Sequence, residues 1–308
     1  MNHKPFKTLD ELLEILENRN VTINDKDFAK RALGRESYYA IINGYKDPFI
    51  DREESKRRGE DYYKGGTTFE DFWMFYQVDV TLRSRTRDIL MVAEAAMKAV
   101  TVYSFCFYHP QPDAYLDPAS YISINDYKYK KSYTRSLIRL LNVLQSIYDN
   151  KQEKEYIKHY LDCHKCLPLW VAAKALTFGN MGAFFNLQEH KVQNAVCVNL
   201  RKALDKPKRS IGIKDVRQAY DVLPEFRNLC AHKERLYCAN VGKGNYCFKD
   251  MLASLKIVLD RHSMVEYVNQ VLLIIDAIKK QGGSIDMYDT FMKGLHVTED
   301  ELRGYPYL

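Results

Sequence analysis

Apolar residues recur at helical spacing along the longest segments of the chain. Such a pattern gives a helix one apolar stripe, which must be buried against other elements. The sequence therefore predicts an all-α fold, in which residues 68–108 form the first main helix of a bundle and residues 249–280 form the last. In the first of these helices the apolar face comprises Phe72, Phe75, Tyr76, Leu82, Ile89, Leu90, Val92, Ala93 and Ala96.

Composition limits the class of protein. The 308 residues are 46% hydrophobic and 28% charged, which is enough apolar material for a sizeable core. A net charge of +6 favours a polyanionic partner without requiring one. The seven cysteines are irregularly spaced, so we expect reduced thiols. We see no apolar run of eighteen residues and no signal-peptide pattern, which predicts a cytoplasmic location and no membrane partner.

Three regions are predicted along the chain. Residues 1–50 contain three short helical patterns, the last over residues 36–44, and form a small module with a basic edge. This module fits a helix-turn-helix type, and a packing appendage to the main bundle is an equal alternative. Residues 51–67 are charged and contain glycines, which is typical of a linker or loop. Residues 68–308 form the helical bundle.

The segment RNLCAH, residues 227–232, combines two side chains suited to phosphodiester chemistry. Arg227 is a permanent cation with a planar fork that fits phosphate, and His232 can give or take a proton near neutral pH. Pro224 predicts a helix start just before them. In that helix Asn228 and His232, four residues apart, share one face.

An arginine, a polar residue and a histidine at this spacing resemble the motif of the HEPN helical-bundle ribonucleases. The longer string RNLCAHKERLY resembles the version found in bacterial abortive-infection (Abi-like) proteins. Three further segments resemble the same family in the same order, namely residues 4–49, 81–100 and 167–185. The resemblance implies a HEPN-like helical bundle that carries a small N-terminal module.

The resemblance also implies a function, a metal-independent endoribonuclease of phage-defence or toxin type. Attack by the RNA 2′-OH would leave a 2′,3′-cyclic phosphate, with Arg227, Asn228 and His232 as catalytic residues. Glu94 and Arg235 would support them, although a structural salt bridge explains Glu94 equally well. Because one chain carries one motif, the resemblance implies a homodimer with a shared cleft.

A second function remains open, a non-catalytic RNA-binding component of a toxin–antitoxin or defence complex. In either case RNA is the expected partner, and a structured small RNA or a protein would keep the chain inactive. The candidate RNA-binding residues are basic and partly interleaved with tyrosines, a pattern that suits single strands but also a solvated helix start. They are Lys128, Lys130, Lys131, Arg135, Lys206, Lys208 and Arg209.

Metal and cofactor sites are not expected. Cys163 and Cys166 have CxxC spacing, but structural zinc needs four ligands and no second pair follows. The chain also lacks the glycine-rich phosphate loops, the nucleophile elbow and the HExxH motif of other enzyme classes. The sequence therefore predicts no metal and no cofactor.

Overall fold

The computed structural model describes residues 5–149, 154–204, 210–280 and 285–305, and every regular element within them is a helix. The predicted all-α class is confirmed. Short 3-10 helices and one π-helix, Tyr39–Asn43, connect the α-helices. In chain order the α-helices are α1 (Leu9–Asn18), α2 (Lys26–Glu36), α3 (Arg52–Arg58), α4 (Phe69–Tyr108), α5 (Tyr133–Asp149), α6 (Glu155–His164), α7 (Leu169–Ala172), α8 (Phe178–Asn186), α9 (His190–Ala203), α10 (Ile213–Ala231), α11 (Phe248–Val258), α12 (Arg261–Lys279), α13 (Met287–Leu295) and α14 (Glu299–Gly304).

The chain divides into two compact units. The first unit contains Met1–Thr86, Leu229–Asn240 and Tyr267–Arg303. The second unit contains Arg87–Asn228, Val241–Glu266 and Gly304–Leu308. The helices α4, α10 and α12 each contribute residues to both.

The N-terminal helices of the first unit begin where their capping residues predict. Thr8 and Glu11 form a capping box at the start of α1, and the Asp25 carboxylate accepts the backbone N–H of Phe28 at 2.8 Å at the start of α2. The helical pattern predicted over residues 36–44 forms the short π-helix. The stretch predicted as a linker or loop, residues 51–67, contains α3.

Aromatic side chains make up much of the core of the first unit. Tyr63 packs on Phe72 with ring centroids 5.2 Å apart, and Phe49 packs on the same ring at 4.5 Å. Phe75 of α4 packs on Tyr237 at 4.7 Å. All five rings are buried, which accounts for the apolar face predicted for the first part of α4.

The helix α4 is 40 residues long and does not bury all the positions predicted for it. Val92 is 49% exposed, so its assignment to a buried face is wrong. One window of 18 residues in α4 has a mean hydropathy of 1.5, which would allow a membrane span by length and composition; core helices of soluble proteins pass the same test.

The single helix predicted over residues 249–280 is two helices, α11 and α12. Leu259 has an extended backbone conformation, with φ −107° and ψ 148°, and ends α11. The Asp260 carboxylate then accepts the backbone N–H of Ser263 at 2.9 Å and caps α12. The aspartate competes for backbone N–H groups that a continuous helix would use, and this breaks the predicted element.

The segment over residues 167–185 is strongly apolar, which is typical of one buried helix, but it is also interrupted. It forms α7, a 3-10 turn over Ala173–Ala175, and α8, whose N-cap Thr177 accepts the N–H of Asn180 at 3.1 Å. The apolar sequence around Trp170 favours a core position for its ring, but the residue is 52% exposed. The short α7 turns this ring outward while Leu169 and Val171 are buried.

Candidate functional site

The RNLCAH segment lies at the carboxyl end of α10, and the helix does not begin at Pro224 as predicted. Pro224 lies inside the helix, where a missing N–H costs about 3 kcal/mol. Its neighbours Val222, Leu223 and Phe226 are fully buried, and each contributes about 1.5–3 kcal/mol. Their burial outweighs the lost hydrogen bond, and the helix continues through the proline.

A Schellman motif ends α10 at His232. The N–H of Glu234 donates to the carbonyl of Leu229 at 3.2 Å, and the N–H of Lys233 donates to the carbonyl of Cys230 at 3.4 Å. Lys233 has a φ of 59°, the left-handed conformation that glycine usually supplies at this position. His232 is therefore the C-cap residue and lies just beyond the last helical residue.

Asn228 and His232 are both exposed. His232 sits at the cap, so the two residues span the last turn of α10. Neither side chain has a hydrogen-bond partner within the residues that the structure describes. An exposed imidazole is free to exchange protons with a bound substrate, whereas a core histidine is not.

Arg227 belongs to a small ion-pair group in the second unit. Its Nε lies 3.5 Å from Oε2 of Glu94, and the Nζ of Lys98 lies 3.5 Å from Oε1 of the same carboxylate. Lys98 also donates to the carbonyl of Leu176 at 2.8 Å. The Glu94 side chain is only 14% exposed, whereas that of Arg227 is 42% exposed. Glu94 thus orients an arginine whose guanidinium still reaches solvent.

The segment that follows His232 is held by a buried carboxylate in the first unit. Asp79 is fully buried and accepts the N–H groups of Leu236, at 3.1 and 3.2 Å, and Tyr237, at 2.8 Å. The Tyr45 hydroxyl donates to it at 2.7 Å and Arg83 donates at 2.9 Å. Burial raises the pKa of Asp79, while Arg83 and the other donors oppose that effect.

Arg83 also binds the segment that follows His232. Its Nη1 donates to the carbonyl of Glu234 at 3.1 Å and to the Tyr45 hydroxyl at 3.1 Å. Arginines at every second position, such as Arg83, Arg85 and Arg87, share no helix face and are typical of surface cations, but Arg83 is buried. The signal that could have found it was an aspartate and an arginine at i,i+4 spacing within the apolar pattern of α4.

Arg235, predicted as a supporting residue, is close to the N-terminal part of the first unit. Its Nη1 lies 3.6 Å from Oδ2 of Asp47, and its side chain is 39% exposed. It is therefore accessible to an anionic ligand, although one carboxylate already neutralises part of its charge.

The first four predicted RNA-binding cations lie just before α5 or in its first turn. Lys128 stands 4.9 Å from the centre of the Tyr129 ring, which is 50% exposed. Lys130 and Lys131 lie in the 3-10 helix just before α5 and are exposed. Within the described residues, neither of the last two has a carboxylate partner.

Arg135 lies in the first turn of α5, and Lys206, Lys208 and Arg209 lie outside the described residues. An open groove of about 520 Å³ runs along the outer face of α5. Its lining residues are Arg135, Ile138, Arg139, Asn142, Val143 and Ser146. The guanidiniums of Arg135 and Arg139 make this face attractive to an anion.

In the described part of the chain no three His, Cys, Asp or Glu side chains converge to hold a metal ion. Cys163 of the CxxC pair instead lies 3.6 Å from Nδ1 of His159, one turn earlier on α6. The chemistry that the α10 end offers is therefore that of an oriented guanidinium and an exposed imidazole.

Fold and site together define a class of all-α proteins that carry an arginine, an asparagine and a histidine at the end of one helix. The chain belongs to the family of Abi-like proteins, whose family model matches residues 31–238. This confirms the predicted resemblance to Abi-like proteins. Membership implies a role in abortive infection, the defence against phage. No curated protein and no solved structure matches the chain.

Proposed function

We propose that this Abi-like protein is a metal-independent endoribonuclease that acts in the cytoplasm. One observation carries the proposal. Arg227 forms an ion pair with Glu94 that holds it in place, and five residues later His232 is exposed to solvent. RNA supplies its own nucleophile, the 2′-OH. The protein must then move two protons and stabilise the charge that develops on phosphorus.

The two side chains have different tasks in this mechanism. His232 takes the proton from the 2′-OH or gives one to the leaving 5′-oxygen, and Arg227 binds the phosphate oxygens through its exposed guanidinium. Asn228 orients the substrate or the imidazole. Glu94 keeps Arg227 in position and is a positioning residue. The products are a 2′,3′-cyclic phosphate and a 5′-hydroxyl.

One chain supplies one copy of the motif, and thus one histidine for proton transfer, whereas the reaction uses both an acid and a base. We therefore propose a homodimer in which two copies of the motif face one cleft. RNA is the substrate, and a structured small RNA or a partner protein restrains the nuclease until infection.

The test is cleavage of total RNA in EDTA by the purified wild-type protein and by His232→Ala. We expect the substitution to lower the cleavage rate by about two to four powers of ten, with RNA affinity nearly unchanged. Because His232 is exposed, the variant should melt at the wild-type temperature. The matched control is His262→Ala, which removes another exposed histidine and should cut at the wild-type rate.

A folded His232→Ala protein that cuts as fast as wild type would end the assignment. Activity that disappears in EDTA and returns with magnesium would replace this mechanism with a metal-dependent one. RNA binding without any cleavage by wild type would favour the non-catalytic alternative, an RNA-binding component of a defence complex.

A further inference from the structure

One side of α4 in the second unit presents a continuous row of apolar side chains to solvent. The exposed fractions of its larger side chains range from 49% for Val92 to 69% for Phe107. At 100° per residue its central members fall within about 40° of one line along the helix, and the two end members flank that line. We call this surface the α4 stripe, which consists of Met91, Val92, Ala95, Ala99, Tyr103 and Phe107.

The α4 stripe is long enough and apolar enough to form the core of an interface. From Met91 to Phe107 it extends about 24 Å along the helix axis. An aromatic side chain has an area of about 150–250 Å², so the exposed fractions of the stripe residues add up to an exposed area of roughly 500 Å². A standard interface buries about 800 Å² per partner, so the stripe can form its apolar core. Contiguous apolar surface of this kind marks an interaction site in a soluble protein.

The order of side chains along the stripe is self-complementary about Ala99. In a two-fold contact, if residue i of one copy faces residue j of the other, then residue j of the first copy also faces residue i of the second. If two α4 helices cross antiparallel at Ala99, each Ala95 faces a Tyr103 and each Met91 faces a Phe107. The small Ala95 then receives the large Tyr103, and Met91 packs on Phe107 as two large apolar side chains. Two alanines at the axis allow the helices to approach closely.

Val92 and Cys106 are also equidistant from Ala99 and would face each other. Cys106 is half-buried, and burial raises the pKa of its thiol to about 11. The thiol is therefore neutral and behaves as a small apolar group in such a contact.

We propose that the α4 stripe is a homodimer interface, on which a second copy of this chain packs antiparallel about a two-fold axis at Ala99. Contact with a bilayer would not require Ala95 and Tyr103 to lie at equal distances from Ala99. Two-fold packing on a second copy does require it. The opposite face of the helix, with Leu90, Ala93 and Met97, is already buried within the chain.

The interface lies beside the ion-pair group of Arg227. Glu94 is three residues after Met91, so it borders the stripe on the side where it contacts Arg227. Each copy would thus place its Arg227 at the rim of the contact. This last step, the link between interface and catalysis, rests on the proposed function, while the interface itself does not.

The first test measures mass in solution by analytical ultracentrifugation. Ala99→Arg places two guanidiniums against each other at the axis, and we expect it to weaken self-association by at least about 100-fold. The control is Ala203→Arg, at an exposed alanine at the end of α9, which should remain a dimer. Circular dichroism checks that both variants are folded.

The second test addresses the register. Ala95→Lys and Tyr103→Glu should each weaken the dimer, because each leaves a charge against an apolar side chain. Together they should restore it, because the new cation of one copy faces the new anion of the other. The two positions are eight residues apart on α4, too far for the pair to form within one chain.

Several results would overturn the interface. They are a monomeric wild type at tens of micromolar, an unchanged mass for Ala99→Arg, a double variant no tighter than its weaker single parent, or wild type that floats with neutral phosphatidylcholine vesicles. RNA cleavage is followed in parallel. If Ala99→Arg breaks the dimer but the wild type never cuts RNA, the proposed interface stands and the proposed nuclease activity is wrong. If the wild type cuts RNA and Ala99→Arg leaves its mass unchanged, the nuclease activity stands and the proposed interface is wrong.

Discussion

Asp79 shows how one buried charge can organise a distant part of the chain. It accepts hydrogen bonds from Tyr45, Arg83 and two backbone N–H groups that lie more than 150 residues later in the sequence. A buried carboxylate without such donors would cost several kcal/mol. With all its donors in place, it fixes the backbone immediately after His232 and so limits where the imidazole can go.

Tyr45→Phe is a small test of this network. It removes the donor that lies 2.7 Å from Asp79 and leaves the ring in the core. Hydrogen bonds to charged groups contribute about 1.5–3 kcal/mol, and we expect the free energy of unfolding in urea to fall by that amount. Tyr39→Phe, at a ring that is 76% exposed, should change it by less than about 0.5 kcal/mol. Equal effects of the two substitutions would mean that the Asp79 network does not stabilise the fold.

At the scale of elements, the segment after α10 is confined by helix packing as well as by hydrogen bonds. A Cβ on Gly294 of α13 would lie 2.8 Å from the carbonyl oxygen of Tyr237 and 2.6 Å from its ring. The backbone of Tyr237 is tied to Asp79 and cannot move away easily. The glycine therefore lets α13 approach this segment closely.

Gly294→Ala should destabilise the protein by about 1–3 kcal/mol, because the added methyl overpacks a site with a fixed backbone. Thermal unfolding followed by circular dichroism measures the change. Gly179→Ala is the matched control, since this glycine lies in α8 with open space around the added Cβ. That substitution should be neutral or stabilise by up to about 1 kcal/mol. A stable Gly294→Ala protein would show that α13 can shift relative to the segment it contacts within the first unit.

For the molecule as a whole, the distribution of positive charge matters more than the net value of +6. Many lysines are paired with carboxylates, among them Lys26 with Glu17 and Lys30 with Asp10. Lys130 and Lys131 have no such partner in the described residues, so they can contact phosphates without first breaking an ion pair.

We therefore predict that Lys128→Gln, Lys130→Gln and Lys131→Gln together weaken RNA binding and flatten its salt dependence. The slope of log K against log salt should fall by about 0.7 for each RNA phosphate that the protein no longer neutralises. Fluorescence anisotropy with a single-stranded RNA measures it, in the His232→Ala background so that the RNA stays intact. The control triple variant changes the paired lysines Lys26, Lys30 and Lys293 to glutamine. An identical slope in the two triple variants would remove the α5 start from the RNA-binding surface.

The helical class and the family could be determined from the sequence because both depend on local order. Apolar spacing at 3.6 residues reports a helix wherever it persists, and Arg227, Asn228 and His232 could be chosen from their spacing and chemistry alone. The sequence left two interpretations of Glu94, support of the active site or a structural salt bridge. The structure shows a salt bridge to Arg227, and the supporting role stays a prediction.

Only the tertiary structure decided where helices end and which side chains are buried. Arg83 is buried because a carbonyl 151 residues away accepts its N–H, and Val92 is exposed because none of the described residues covers that side of α4. The Schellman motif that places His232 at a helix cap depends on a lysine in a left-handed conformation, for which local propensity favours glycine. Spacing within one segment carries no information about contacts with residues far away in sequence, and those contacts set burial, helix ends and the orientation of the site.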